Sequence, residues 1–301
     1  MRIQSAILFS MLCAPASAAL PPGDWAAPRV LCNIANARIK EASGIVESRR
    51  NPGVFYVHND SGDAARFFAV GRDGSTRFVV TVRNATNTDW EDIAATRDSK
   101  GKPVVFLADI GDNEGTRDVL TIYEVPDPPA PKGKAGGTVS VSARGIRFQY
   151  PDGHHDAETL LAEPGAKALY VVTKTRKREP SEVFRLDPRK PGVQTAMKVG
   201  ELRFSDPLPI FTDMATGGDI SPDGARLVVR TYQCAYEWAI STGTSVERAI
   251  LAKPRVTVLA LENQGEAICY GLDGKTLYTT SEQRPTPIYM YQWRTNKRNE
   301  R

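Results

Sequence analysis

Five short apolar runs in this sequence open on acids. Glu41 precedes "ASGIV", Glu91 and Asp92 precede "IAAT", Asp156 and Glu158 flank the start of "ETLLA", Asp219 lies in "GGDIS", and Glu266 lies in "GEAICY". A second polar group follows the next apolar run each time: Asn59 and Asp60, Asp109 and Asp112, Thr173 and Lys174, Arg230, then Ser281 and Glu282. If these openings converge in space, several carboxylates meet. Two unit charges about 4 Å apart repel by on the order of 4 kcal/mol at an effective dielectric near 20, so something must offset them. A calcium ion does so by gathering roughly six to eight oxygens from carboxylates, amides, carbonyls and water. Lys174 and Arg230 do so by pairing with the acids in a purely structural network. Carboxyls that keep their protons at raised pKa also do so, and such groups serve as general acids or bases. All three remain open at this point.

The metal-ligand candidates are Glu41, Asp92, Asp109, Asp112, Asp156, Glu158 and Glu266, with calcium as the expected ion. The ligand-facing candidates are His58, Asp60, Lys174 and Arg230. "DIGDNEG", from Asp109 to Gly115, has enough side-chain oxygens to wrap a cation, and "NDSGD" from Asn59 resembles it at the same place in an earlier segment. Neither has EF-hand spacing, and Asx-Gly sequences are also standard turn formers. His154 and His155 stand beside Asp156 and Glu158, but neighbours on a strand point to opposite faces, so both cannot easily serve one transition-metal ion. Ser43 lacks the Gly-x-Ser-x-Gly setting of a nucleophile elbow, and the catalytic group is left unassigned.

Positioning such a set requires a repeated unit. Segments beginning at Glu41, Asp89, Asp156, Gly217 and Gly265 share one order: a short strand introduced by an acid, a turn rich in Gly, Pro or Asp, a stronger strand, a polar stop, and a third strand. Their spacing of roughly 50 to 65 residues suits four short strands plus loops. The runs 54–57, 104–107, 169–172 and 227–229 are β-rich, and no long stretch keeps apolar residues at helical spacing. The expectation is an all-β chain forming a single β-propeller domain over 24–293 with five or six four-stranded blades. Fourth strands are expected over 76–82, 138–148, 196–204 and 246–252. The last repeat lacks one, so 30–40 is expected to supply it and close the ring. A sixth, degenerate blade would lie within 126–150 or 188–211.

"SPDGARLVV" from Ser221 and "LDGKTLYTTS" from Leu272 resemble the Asp-Gly turn and following strand of WD40-like repeats in exported bacterial propellers. The layout is similar to secreted propellers of the phytase-like and esterase-like kind. That resemblance implies a propeller with a calcium-bearing central funnel, not phytate hydrolysis as such.

The chain has 301 residues, 41% of them hydrophobic, enough for a large core. Its net charge of +4 is scattered, which argues against nucleic acid as the partner. Met1-Arg2, the apolar run 6–12 and Ala16-Ser17-Ala18 read as a signal peptide over 1–18, which places the mature protein in the periplasm or outside the cell. No run is long enough to span a membrane. Residues 294–301 form a basic tail. Cys32, Cys234 and Cys269 would remain after cleavage, either as one disulfide and one thiol or as three buried thiols. The expected function is a calcium-dependent hydrolase of a small, phosphorylated ester, acting as a monomer on a small anionic molecule. The alternative is a non-catalytic ligand- or protein-binding scaffold in which the acidic ring is structural.

Overall fold

A computed structural model describes residues 20–132, 136–175, 179–205 and 213–295. The expected signal over 1–18, and the tail from 296 onward, lie outside the described residues. Two N-terminal strands, β1 (Asp24–Trp25) and β2 (Arg29–Asn33), precede the first blade. Blade 1 runs outward from the centre as β3 (Ala42–Glu47), β4 (Val54–Asn59), β5 (Arg66–Gly71) and β6 (Thr76–Arg83). Blade 2 begins with β7 (Trp90–Arg97), β8 (Pro103–Asp109) and β9 (Leu120–Pro126). The chain then crosses back: β10 (Gly137–Ser142) pairs in parallel with β6, and β11 (Arg144–Gln149) returns to complete blade 2 beside β9. Blade 3 holds β12 (Ala157–Ala162), β13 (Leu169–Thr173) and β14 (Ser181–Leu186). After it, β15 (Val193–Thr195) joins β11 in parallel, and β16 (Met197–Leu202) finishes blade 3. Blade 4 holds β17 (Gly217–Ile220), β18 (Arg226–Arg230), β19 (Cys234–Ala239), a one-turn helix α1 (Val246–Ala249) and β20 (Arg255–Val258). Blade 5 is β21 (Gly265–Tyr270), β22 (Thr276–Ser281) and β23 (Pro287–Arg294), with β1 and β2 both antiparallel to β23.

Five sheets therefore form a five-bladed β-propeller, and no sixth blade exists among the described residues. The stretches that suggested one are the source of β10, β11, β15 and β16. Two expected outer strands are corrected. The 138–148 run splits between two blades, and 246–252 holds a helix because Val246, Ala249 and Ile250 are buried at helical spacing behind Ser245 at the N-cap. The true outer strand of blade 4 is β20, which pairs with β19. Ring closure by the N-terminal segment holds, through 24–25 and 29–33. Among the described residues no helix is long and apolar enough to cross a membrane. None of Cys32, Cys234 and Cys269 is joined in a disulfide, and the latter two are buried.

Apolar side chains pack between neighbouring blades. Leu160, Val171 and Phe184 of blade 3 meet Phe106 and Ile122 of blade 2, and Val228 of blade 4 meets Ile268 and Leu277 of blade 5. The five inner strands β3, β7, β12, β17 and β21 contact one another in a closed ring. Buried polar groups tie this ring where apolar packing cannot. Ser43 Oγ donates to the Glu91 carbonyl (2.6 Å), and Thr216 Oγ1 donates to the Gly265 carbonyl (3.0 Å). The fully buried Asp92 carboxylate accepts the N–H groups of Ile93 (2.8 Å), Leu160 (2.8 Å) and Gly218 (3.3 Å), joining three inner strands. Asp219 likewise accepts from Ile220 (2.8 Å) and Tyr270 (2.9 Å).

Burial pushes Asp219 up from 3.8 to about 6, against the field of Arg49 and its backbone donors. The folded state thus takes up this proton more readily than the unfolded chain. Its contribution to stability is complete below pH 3.8 and is lost as pH rises through about 6. Asp219→Asn, which cannot ionise, should flatten the melting-temperature profile between pH 4 and 6 relative to the parent chain. Calorimetric melts across that window test this; an unchanged slope would show that the carboxyl does not titrate there.

Candidate metal centre at the channel mouth

Four of the five inner strands carry a β-bulge at the same end, and the residue between the shifted pairs is Ser43 in β3, Glu91 in β7, Glu158 in β12 and Glu266 in β21. A bulge leaves one residue out of the ladder and re-aims its side chain. Blade 4 has no bulge. Its Gly217 lies so close to the next inner strand that a Cβ would collide with the Glu266 carbonyl. Three glutamates from three blades therefore converge at one mouth of the ring. The ends of the second strands bring Asp60, Lys174 and Glu282 to the same place, and Asp89 arrives just before β7.

The electrostatics show the convergence. Burial, then the charges of Glu158, Asp60, Asp89 and Glu266, hold Glu91 well above the ordinary carboxylate range. Burial followed by Glu158 and Glu282 does the same for Glu266. Asp89 is pushed up to about 6 by burial and by Asp60, and Glu158 up to about 7 by burial despite the opposing charge of Lys174. Lys174 is itself disfavoured by burial, but Glu158 and the other acids outweigh this and hold it above its usual value. Its Nζ contacts Glu158 Oε1 and lies 5.7 Å from the centre of the Tyr232 ring.

Asp60, Asp89 and Glu91 each offer a carboxylate oxygen, and these atoms all lie within 4.8 Å of one another. Among the described residues, the nearby cations are committed elsewhere, Lys174 to Glu158 and Arg117 to Asp109. Glu158 Oε2 is buried with no hydrogen-bond partner. These hard oxygen donors suit part of the shell of a divalent cation of the calcium class, which takes roughly six to eight oxygens in all.

The remaining sequence candidates are distributed as follows. Glu158 and Glu266 lie in the converging set, with Asp60 and Lys174. Glu41 is exposed at its rim and adds to the fields on Asp60 and Glu282. Asp156 accepts from the Asp112 N–H (3.0 Å) and acts on Asp89 and Glu158 through its charge. Asp92 faces deeper into the ring and spends its oxygens on backbone N–H groups. Asp109 and Asp112 hold their own loop: Asp109 pairs with Arg117 (2.7 Å), and Asp112 accepts from Thr116 (2.8 Å) and Arg117 (3.1 Å). In "NDSGD", Asn59 bonds to Asp63 (2.7 Å) and Asp63 pairs with Arg66 (2.5 Å), which leaves only Asp60 for the mouth.

Two ligand-facing candidates do not reach it. His58 is fully buried, edge-on to Trp90 (5.8 Å) with Nδ1 bonded to the Asn59 carbonyl (2.9 Å), and burial lowers it to about 4, so it is neutral. Arg230 is fully buried, pairs with Glu262 (3.1 Å) and donates to the Ala267 carbonyl (2.9 Å). Sequence reasoning missed Asp89 and Tyr232 as site members; it placed Glu282 and Glu91 in the converging tiers, but among the ligand candidates it named Asp92 rather than Glu91 and left Glu282 out. Asp89 stood in plain view at the start of "DWED", but strand alternation alone cannot say which of three consecutive positions bulges inward.

No protein-family model matches this chain, and no curated protein matches it. Among solved structures, a chain of hydrazine synthase from Kuenenia stuttgartiensis is similar, with a TM-score of 0.40 and 11% identity over 79% of this chain and 61% of that one. This chain spans less than two thirds of that neighbour's length. At that distance the likeness carries no substrate or chemistry across.

Gly111 separates the loop from the acids, and a Cβ there would collide with Glu91 Oε1 and Asp89 Oδ2. If Asp89 and Glu91 hold a divalent cation, Gly111→Ala should weaken its binding by about tenfold or more while the fold persists. Titration calorimetry reads this, and unchanged affinity would remove Asp89 and Glu91 from the site. Arg230→Met strands the buried Glu262 carboxylate, so it should cost roughly 3 to 5 kcal/mol in urea unfolding. A variant of full stability would show that the pair is not what holds this corner.

Proposed function

We propose that this propeller is an exported, divalent-cation-dependent hydrolase of small phosphorylated esters, with calcium as its ion. The observation that carries the reading is the grouping of Asp60, Asp89 and Glu91, whose oxygens converge while the nearest described cations, Lys174 and Arg117, form their salt bridges with Glu158 and Asp109. These three would hold the ion. When bound, it would polarise the scissile group and make a coordinated water more acidic, a route that needs no serine nucleophile.

The chain's own residues supply the rest. Lys174 is the cation at the mouth, and its placement by Glu158 and Tyr232 suits it to orient an anionic substrate group. Glu158, poised near 7, is suited to exchange a proton with the leaving group at neutral pH. Burial and neighbouring acids push Glu266 and Glu282 toward their neutral forms, and a bound cation would draw them toward the charged ones that favour it over a second anion. The signal-like stretch over 1–18 supports export, to a compartment where calcium is abundant.

One observation favours a second reading. Lys174 is already committed to Glu158, so the ring has a means of neutralising itself. A non-catalytic propeller that binds a ligand or a protein would use the acids only to lock the blades.

Melts and ester assays on the mature chain, in EDTA and with calcium restored, separate the two. At about 100 times its dissociation constant, calcium should add roughly 2.7 kcal/mol of stability. Turnover of p-nitrophenyl phosphate should require calcium and fall by about 100-fold or more in Glu91→Gln. A calcium-dependent melt with no turnover of any phosphate or carboxylate ester would leave the scaffold reading. No response to calcium in either assay would remove the cation from both.

A further inference from the structure

The loop 150–156 carries the chain from the outer part of blade 2 into the first strand of blade 3, and it runs past the start of β14. There His155 packs against the rings of Tyr150 (centroids 4.7 Å apart) and Phe184 (5.3 Å). Its Nε2 lies 2.9 Å from Asp152 Oδ1, and its Nδ1 lies 3.6 Å from Glu182 Oε2. One atom from each of Asp152, His155 and Glu182 can be chosen so that all three lie within 4.8 Å of one another.

The two oxygens of Glu182 are used unequally. Oε1 receives the Lys198 ammonium, whereas Oε2, on the His155 side, is buried with no hydrogen-bond partner. The hydroxyl of Tyr150, a residue only 6% exposed, is likewise buried without a partner; burial and then the charges of Asp156, Asp112 and, least, Glu182 hold it above the ordinary tyrosine range. Three donors therefore converge, one of them the carboxylate whose Oε2 is buried without a hydrogen-bond partner, and the ring that carries the unpartnered Tyr150 hydroxyl packs against His155. Buried polar atoms normally find a partner, and an ion or its bound water would supply one.

The donor chemistry differs from that of the channel mouth. An imidazole nitrogen with two carboxylate oxygens is the mixed set chosen by zinc and similar borderline ions, whereas the mouth offers oxygen alone. Three protein donors leave room for solvent on the metal. The chain supplies a reason for such a clip. Asp156 directly follows His155, and its carboxylate fixes the Asp112 N–H beside the mouth.

We propose that Asp152, His155 and Glu182 form a second metal site, of the zinc class, that pins the loop 150–156 onto blade 3. This site does not depend on the calcium reading.

The test titrates zinc into the full chain held in saturating calcium, by calorimetry and by thermal melt. One equivalent of zinc should bind and raise the melting temperature. Asp152→Asn should weaken zinc binding by about tenfold or more, and Glu91→Gln should leave it unchanged. The side chain of Asp152 is 49% exposed, so this variant keeps the fold even where His155→Gln, which empties a space between two rings, does not. The proposal is overturned if the chain binds no zinc, if Asp152→Asn binds it as tightly as the parent, or if Glu91→Gln abolishes it.

Discussion

Closure of the ring is the constraint on which the rest depends. β23 finds its outer partners in β1 and β2, from the opposite end of the chain, so the first and last described segments share one sheet. Only a closed ring makes the five inner strands neighbours of one another, and only then do their ends meet at a common mouth. Two further crossings, β10 onto β6 and β15 onto β11, bind adjacent blades and cover edges that would otherwise offer unpaired backbone groups. Blades 3 and 4 keep shorter coverage, and Met197, Val256 and Val258 are correspondingly exposed on β16 and β20.

Bringing inner strands together in this way forces acids into proximity, and the molecule answers the repulsion differently at each depth. Inside the ring, Asp92 and Asp219 are satisfied by backbone N–H groups from neighbouring strands, so they act as ties between blades. One step outward, Glu158 meets Lys174. At the mouth itself, Asp60 accepts only the N–H of the adjacent Ser61 and hydrogen-bonds Asp89, none of Asp60, Asp89 and Glu91 forms a salt bridge with a described lysine or arginine, and within 4.8 Å of one another each charged pair would cost on the order of 3 kcal/mol or more. Protons or a cation must make up the difference. The same depth order separates Arg230, whose charge is consumed by Glu262 below the mouth, from Lys174, which remains at it.

Much of the architecture was legible from local pattern. Runs such as 54–57 and 169–172 alternate or concentrate β-branched and aromatic residues between turn signals, and these are properties of a few adjacent residues. The same holds for the Asp-Gly turns at Asp223 and Asp273, and for the repeated acid that opens each inner strand. The outer strands were less legible. "VERAILA" has the β-branched and apolar residues of a strand, yet its apolar spacing buries one face as a helix. The 138–148 run could not reveal that its first half belongs to the preceding blade.

What the sequence determined by itself was the all-β repeat and the convergence of Glu158, Glu266, Asp60 and Lys174 on one end of it, because strand period and repeat length are local and additive. Which acids would face one another was decided only in the tertiary structure. The bulge that turns Glu91 inward and leaves Asp92 to the backbone depends on pairing with β8, and the commitment of Arg117 to Asp109 depends on how one loop folds back. The burial of Arg230 against Glu262 depends on the approach of blade 5. Such outcomes arise from contacts between residues far apart in the chain, where small shifts in register decide which charge finds a partner and which is left for a ligand.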